Sequence, residues 1–228
     1  MNEIRVIPIS GIPEIRGGDD LAALLVEHLP EPLEDGDVVV VTQKVVSKAE
    51  GRLVPASERK AHVASESVAT LRRSVGGMTI AETRHGFICA NAGVDSSNVE
   101  GDQIALLPVD PDASARRIRA RLERATSTVI GVVVSDTFGR AWRLGQTDVA
   151  IGVAGLEPFL DHRGTLDTFG NELHATRICV ADEIAGAAEL VMGKADGICA
   201  AIVRGVRIAR GRGAATEIVR SPADDLFR

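Results

Sequence analysis

The stretch "GDVVVVTQKVVSK", residues 36–48, decides the fold. Its four consecutive valines predict a strand with both faces buried, which leaves the core at Thr42. A second run of the same kind, "STVIGVVVSD" (residues 127–136), ends at Asp136. Elsewhere, strands are predicted both as hairpins and in alternation with helices. We therefore expect an α+β fold, with a mixed β-sheet and flanking helices, rather than a pure βαβ series.

Hydrophobic periodicity and turn residues predict the remaining elements. Further strands are expected at residues 4–12, on both sides of a turn near His85 and Gly86, at 146–155 and at 196–206. Helices are expected at about 20–28, at 57–74, at 110–125 and in a segment that ends at Met192. The sequence has no repeat, linker or clear boundary. Residues 1–228 are therefore expected to form a single domain, either as one unit or as two intertwined lobes.

Composition excludes several classes of function. A net charge of −6 argues against a general positive field for nucleic acid. No apolar run approaches the roughly 20 residues that span a bilayer, and the N-terminus shows no secretory signal. Cys89, Cys179 and Cys199 are far apart among apolar residues, which predicts reduced, buried thiols. We expect a cytoplasmic protein without nucleic-acid or membrane partners.

Two loops of similar composition are candidates for a metal site. Asp95, in "NAGVDSSN" (residues 91–98), and Asp136 are each predicted just past an apolar strand. Thr137 adds a hydroxyl and Asn98 an amide, and hard divalent cations bind oxygen ligands of these kinds. The alternative is that both aspartates accept turn hydrogen bonds from backbone N–H groups. Spacing alone does not require the two loops to meet.

Lysine is rare in this chain, which draws attention to "TQKVVSK" (residues 42–48). The four lysines are Lys44, Lys48, Lys60 and Lys194. A lysine at a strand exit can neutralise phosphate as a point charge, although a surface lysine is the alternative. Gly193 and Lys194 lack the earlier glycine and the following hydroxyl residue of a P-loop, so that motif is rejected. Dinucleotide, zinc and α/β-hydrolase motifs are also missing from the sequence.

A series of longer stretches resembles the coenzyme F-420-0:L-glutamate ligase family. The matching stretches are "GIPEIRGGDDL", "GDVVVVTQKVVSKAEGR", "NAGVDSSN", "LLPVDPDASA", "VSDTFGRAWRLGQTDVAIGVAGL", "DTFGNELHATRICVADEIAGAAELVMGKADG" and "PADDLF". They run in order from Gly11 to Phe227, and such a long ordered series is far more specific than any single loop.

The resemblance implies a function and a set of ligands. Family members couple L-glutamate to the deazaflavin precursor F-420-0 with GTP and extend a γ-linked polyglutamate tail. The reaction implied passes through an acyl phosphate and releases GDP and phosphate. Two divalent ions, manganese or magnesium, are expected as cofactors, with potassium as a further candidate, and a homodimer is expected. Some relatives carry a nitroreductase-like domain after a "PADDLF"-type segment. This chain stops at Arg228, so we expect the ligase part alone.

The resemblance also carries site residues onto this chain. Matching metal ligands are Asp95, Asp136 and Thr137. Matching nucleotide contacts are Ile12, Pro13, Glu14, Ile15, Thr42, Gln43, Lys48, Asn98, Gly193, Lys194 and Asp196. Asp95, Asp136 and Lys48 are expected to be catalytic, because phosphoryl transfer depends on positioning and on neutralising phosphate charge.

Two other functions stay open at this point. A metal-dependent small-molecule kinase would use the same metals and nucleotide but release a phosphorylated product. A non-catalytic nucleotide-binding partner of a reductase would bind nucleotide without turnover.

Overall fold

The computed structural model describes residues 3–225. The helices are α1 (Leu21–Glu27), α2 (Gln43–Ala49), α3 (Arg59–Glu66), α4 (Pro111–Thr126) and α5 (Val180–Met192). The strands are β1 (Arg5–Ile9), β2 (Val38–Thr42), β3 (Leu53–Pro55), β4 (Ser67–Arg73), β5 (Thr79–Thr83), β6 (Ile88–Ala90), β7 (Gln103–Ala105), β8 (Gly131–Arg140), β9 (Arg143–Ala154), β10 (Leu160–Asp161), β11 (Arg177–Ile178) and β12 (Ala200–Arg204). The end of the "PADDLF" stretch lies outside the described residues.

The largest sheet has five strands in the order β1-β12-β2-β8-β9. Strands β2 and β8 run parallel, whereas the other three pairs are antiparallel. Helices pack on both faces of this sheet. The remaining strands form three smaller antiparallel sheets. The prediction of an α+β fold with a mixed sheet is therefore confirmed.

The valine run of β2 builds two cores at once. Val39 and Val41 face one core, which includes α1 and α4, while Val38 and Val40 face the other, which includes α5. All four side chains are fully buried. This alternation follows from the two-residue period of a strand and explains why β2 shows no polar face.

The parallel pairing of β2 and β8 places the carboxyl end of β2 beside the middle of β8. Thr42 pairs with Ser135 at this point. Strand β12 runs the opposite way, so its first residue, Ala200, pairs with both Val41 of β2 and Ile9 of β1. The segments that follow β1 and β2 and the segment that precedes β12 therefore meet at one edge.

One helix prediction is wrong in its second half. Residues 57–74 were expected to be helical, but α3 ends at Glu66 and Ser67–Arg73 forms β4. This strand pairs with β5 from Ser67 opposite Thr83 to Arg73 opposite Thr79. Pairing with a neighbouring strand thus overrides the local helical pattern, in a segment that includes the β-branched Val68 and Thr70.

The predicted end of the second valine-rich strand is also wrong. Asp136 was expected in a loop past the strand, yet β8 continues to Arg140. The extension exists because β9 pairs with it along a hairpin that reaches Arg140 opposite Arg143. Asp136 is therefore held by a strand, with Val149 of β9 opposite.

The helices are too short or too polar to cross a membrane. Within residues 3–225, no helix combines the length and the apolar character that a membrane span requires.

Candidate active site

A cleft of about 580 Å³ opens where the carboxyl end of β2 meets the middle of β8. Its walls come from the segment after β1, from α2, from the loop after Asp95, from β8 and β9, and from the segment between α5 and β12. The residues that line it are Ile12, Pro13, Glu14, Ile15, Thr42, Gln43, Lys44, Val45, Lys48, Asn98, Val99, Glu100, Ser135, Asp136, Thr137, Asp148, Gly193, Lys194, Ala195, Gly197, Ile198 and Cys199.

Most of the site residues predicted from the sequence lie together in this cleft. Two are absent from its lining among the described residues, Asp95 and Asp196. Asp95 still belongs to the same cluster, because its carboxylate binds the lining residue Lys44. Asp196 is exposed and lies beside the lining residues Ala195 and Gly197, so its contact with a nucleotide stays a prediction.

Lys44 forms an ion pair with Asp95, one of the two predicted metal carboxylates. Its Nζ lies 2.5 Å from Oδ2 of Asp95. Burial alone would raise the pKa of Asp95, but hydrogen bonds from Lys44 and Ser97 outweigh it and hold that pKa well below its usual value. Asp95 is therefore ionised over the whole physiological pH range.

Asp136 is in a different electrostatic environment. Its removal from water raises its pKa to about 6, and the charge of Asp148 adds to this effect. The positive charges of Lys44 and Lys194 oppose the rise. Asp136 is thus a buried carboxylate, and the two lysines offset the effect of its burial only in part.

Thr137 is held from two sides. Its Oγ1 donates to Oδ1 of Asp148 at 2.6 Å and accepts from Nζ of Lys194, also at 2.6 Å. The other oxygen of Asp148 accepts from the hydroxyl of Ser135 at 2.8 Å. Asp148 is only 4% exposed, so this carboxylate fixes both hydroxyls of β8 from within the protein.

Lys48 and Glu14 form an ion pair in the cleft. Lys48 is only 5% exposed, whereas Glu14 reaches the solvent. The alternative of a surface lysine at position 48 is therefore wrong. Gln43 is buried as well, and its amide donates to Ser47 and to the carbonyl oxygen of Leu106. Gln43 lines the cleft, and its contact with a nucleotide stays a prediction.

The loop after Asp95 is fixed to the segment that follows α5. The amide of Asn98 donates to the carbonyl oxygen of Lys194 at 3.0 Å. Gly193 ends α5 with a positive φ of 57°, and its N–H donates to Glu189. These contacts bring together two predicted nucleotide segments that are distant in sequence.

Asp95 is positioned by the residues before it. Its backbone exchanges two hydrogen bonds with Ala105 of β7, at 3.1 and 2.8 Å. The preceding turn depends on Gly93, with a φ of 75° and no room for a side chain, because a Cβ atom there would lie 2.6 Å from Leu107. A residue with a side chain would clash and be strained at this position, which explains the glycine in "NAGVD".

The cleft offers oxygen donors suited to a hard divalent ion. Carboxylates of Asp95, Asp136 and Asp148 and the hydroxyl of Thr137 are of the type that magnesium and manganese bind. No group of three His, Cys, Asp or Glu side chains is arranged as a metal cage within the described part of the chain. This arrangement fits an ion that takes one or two protein carboxylates and completes its shell with phosphate and water.

Sequence reasoning missed two members of the cluster, Lys44 and Asp148. Lys44 was considered only as a strand-exit lysine in "TQKVVSK" that could neutralise phosphate, and it was not included among the predicted site residues. Asp148 pairs directly with Thr137 across the β8–β9 hairpin. Aligning the two strands of the hairpin would have placed its carboxylate beside the predicted metal ligand.

The sequence model of the F420-0:Gamma-glutamyl ligase family matches residues 11–205. The chain belongs to this family. The matched range begins just before Ile12 and ends just past β12, so it includes every segment that lines the cleft. The resemblance proposed from the ordered stretches is thereby confirmed.

Individual members of the F420-0:gamma-glutamyl ligase family are similar over their whole length. A protein named Coenzyme F420:L-glutamate ligase from Methanothermobacter thermautotrophicus is 40% identical, covering 99% of each chain. Proteins of the same name from Archaeoglobus fulgidus and Methanocaldococcus jannaschii are 41% and 35% identical, covering 99% and 100% of this chain and 96% and 99% of theirs. The family is thus one of ligases.

Proposed function

We propose that this protein is a GTP-dependent ligase that adds L-glutamate to F-420-0 and extends the γ-linked glutamate tail. The observation that carries the proposal is the cleft, in which three lysines and the predicted carboxylates meet inside the range matched by the family. The description of the family supplies the acceptor F420-0, and the names of the similar proteins supply L-glutamate. GTP, the divalent ions and the products GDP and phosphate are part of the proposal.

The first step would activate a carboxylate of F-420-0. One carboxylate oxygen attacks the γ-phosphorus of GTP, the bond from that phosphorus to the β-phosphate oxygen breaks, and GDP leaves. Lys48 and Lys194 line the cleft, and their ammonium groups would hold the phosphates in position and balance their charge. Asp95, Asp136 and Thr137 would hold divalent ions, manganese or magnesium, whose bound charge would stabilise the transferring phosphoryl group.

The second step would form the amide bond. The amine of glutamate attacks the acyl carbon, loses a proton, and phosphate departs with the oxygen that came from the carboxylate. Repetition on the new γ-carboxylate would lengthen the tail.

One assay separates this function from the two alternatives. Purified protein is incubated with F-420-0, GTP, L-glutamate and manganese, and the deazaflavin is analysed by mass spectrometry. A ligase yields mass increases of one or more glutamyl units, whereas a kinase yields a phosphorylated deazaflavin. A binding module leaves the mass unchanged, and that result with folded protein under every metal tried would refute the assignment.

Isotope labelling tests the acyl phosphate. F-420-0 carrying oxygen-18 in the reacting carboxylate should release labelled inorganic phosphate in step with glutamyl product. Activation by nucleotidyl transfer would instead place the label in GMP. Label in GMP, or unlabelled phosphate, would exclude the acyl phosphate even where the ligase assignment survived.

We also propose a homodimer. Leu144 and Phe169 are almost fully exposed large apolar side chains, and a second copy of the chain would cover such surfaces. Light scattering after size exclusion measures the assembly directly, and a monomeric mass at micromolar concentration would contradict it.

A further inference from the structure

Three of the four lysines in the chain line the cleft, and each ammonium group already has an oxygen partner. Lys48 pairs with Glu14, and Lys194 binds the hydroxyl of Thr137. Lys44, in contrast, binds one of the proposed metal carboxylates, Asp95. The ammonium group of Lys44 therefore occupies a position at Asp95 where the proposed function expects a divalent metal ion.

The surroundings of Lys44 show how closely it is held. Its side chain is 12% exposed, against 45% for that of Asp95. Lys44 lines the same cleft as Asp136, the second proposed metal carboxylate, which lies on β8, and its positive charge lowers the pKa of Asp136. The contact that holds the ammonium group in place is the ion pair with Asp95.

We propose that Lys44 is an internal counter-cation, which occupies the cation position at Asp95 and moves to a nucleotide phosphate when a divalent ion and the nucleotide bind together. This inference rests on the proposed function, because it needs the metal and nucleotide site described above. Lysine suits the task, since it carries a compact point charge on a flexible stem and can exchange one oxygen partner for another. Lys44 is in this sense a positioning residue for the metal site.

Charge balance gives the consequence. A divalent ion that binds alone must remove the ammonium of Lys44 from Asp95 and then lies close to a displaced positive charge with no anion beside it. A nucleotide supplies the missing anion. Metal and nucleotide should therefore strengthen each other's binding, and the coupling must be the same in both directions.

The test measures manganese binding rather than turnover. Free and bound Mn²⁺ are determined by electron paramagnetic resonance for the wild type, Lys44→Met, Lys44→Arg and Lys48→Met, with and without a non-hydrolysable GTP analogue. Lys48→Met is the matched control, because it removes one positive charge from the same cleft but from a lysine that is paired with Glu14. Circular dichroism checks the fold of each variant, and Lys44→Gln replaces Lys44→Met if the latter is unfolded.

In the wild type, the analogue should tighten Mn²⁺ binding by at least about fivefold, as expected for a coupled pair of sites. Lys44→Met should bind Mn²⁺ alone at least about fivefold more tightly than the wild type and lose most of the coupling. Lys44→Arg should keep the weak binding of Mn²⁺ alone, and Lys48→Met should stay close to the wild type for Mn²⁺ alone.

The measurements distinguish failure of the proposed role of Lys44 from failure of the proposed function. If the wild type binds Mn²⁺ with the analogue but Lys44→Met binds Mn²⁺ alone no more tightly than the wild type, the role of Lys44 is refuted and the proposed function stands. An equal gain in Lys48→Met also refutes it, because the effect would then be one of general charge. If the wild type binds no Mn²⁺ even with the analogue, the metal site of the proposed function fails and the inference fails with it.

Discussion

Thr137 and Asp148 lie opposite each other on β8 and β9, and the hydroxyl of Thr137 donates to Oδ1 of Asp148 at 2.6 Å. Because the hydroxyl hydrogen points to Asp148, the lone pairs of Thr137 Oγ1 are turned away from β9. Lys194 already binds there. The orientation of a predicted metal ligand is thus fixed by a carboxylate that is itself buried.

Replacing this carboxylate should affect both stability and activity. Asp148→Asn removes the charge from two short hydrogen bonds, and hydrogen bonds to charged groups contribute about 1.5–3 kcal/mol each. We expect the free energy of unfolding to fall by about 1–3 kcal/mol in urea titrations. Glutamyl transfer should fall by roughly tenfold or more, because a misplaced ligand oxygen disturbs the phosphate geometry. Asp102→Asn, at an exposed position, is the control, and equal activity in the two variants would contradict the role of Asp148.

The two proposed metal carboxylates should be essential for turnover but not for folding. Asp95→Asn and Asp136→Asn keep the shape of the side chain and delete one negative charge each. We expect each to lower the rate of glutamyl transfer by on the order of 10²-fold or more. Far-ultraviolet circular dichroism should be unchanged. Near-normal rates at saturating manganese in either variant would remove that residue from the site.

Lys48 should act mainly on nucleotide use. Because Lys48 is buried against Glu14, Lys48→Met is expected to raise the KM for GTP by roughly tenfold, as for a lost charged contact of about 1.4 kcal/mol. Glu14→Gln removes the partner while leaving the ammonium, and so should affect the KM for GTP much less. Steady-state kinetics at saturating F-420-0 and glutamate give both values. Equal increases in KM would mean that the ion pair, and not the ammonium alone, is needed.

Gly93 should be far less tolerant of a side chain than another glycine of the same loop. Gly93→Ala combines a positive φ with a Cβ atom 2.6 Å from Leu107, and we expect a loss of about 2–4 kcal/mol in stability from strain and overpacking together. Gly101 also has a positive φ of 68°, but a Cβ atom added there would meet no other atom within 4 Å. Gly101→Ala should therefore cost only about 1 kcal/mol, from strain alone. Urea unfolding of the two variants measures the difference, and equal losses would show that Leu107 moves aside.

The three thiols should be slow to react at pH 8. Cys89 is buried as predicted, whereas the prediction of burial is wrong for Cys179 and Cys199, which are only half-buried. Removal from water still raises the pKa of Cys89 and of Cys179 to about 12 and that of Cys199 to about 11. Each thiol is therefore neutral in the folded protein at a pH where unfolded thiols, with pKa values near 9, begin to ionise. The rate of alkylation should keep rising above pH 9 for the folded protein, whereas it levels off for the protein in denaturant. Iodoacetamide labelling followed by mass spectrometry of the peptides measures the rate at each cysteine, and rapid alkylation of native Cys199 at pH 8 would contradict this expectation.

The sheet was predictable because its signals are local. The valines of β2 and the apolar residues at the end of β9 form the short continuous runs that are typical of buried strands, and α4 begins at a capping Asp110. The end of α3 was not predictable in this way, because β4 is a strand only through its pairing with β5. The length of β8 beyond Asp136 likewise depends on its partner strand.

The candidate site shows the same difference between local signals and long-range contacts. The residues that match a motif could be named from the sequence, whereas the contacts between them could not. Lys44 reaches Asp95, and Asn98 reaches Lys194, across long separations in the chain. Such pairs depend on the order of strands in the sheet, which hydrophobic periodicity does not give.

The strand order of the sheet also governs how this protein must fold. Strand β1 pairs with β12, which lies near the opposite end of the described chain. The parallel strands β2 and β8 are also separated by a long stretch of sequence. Contacts of such high sequence separation must be closed at a cost in chain entropy before they give any stabilisation, which slows folding. Lys194 lies in the segment just before β12, so this wall of the cleft is positioned only when β12 pairs with the sheet. A nascent chain therefore completes its cleft last, after almost all of the described chain has left the ribosome.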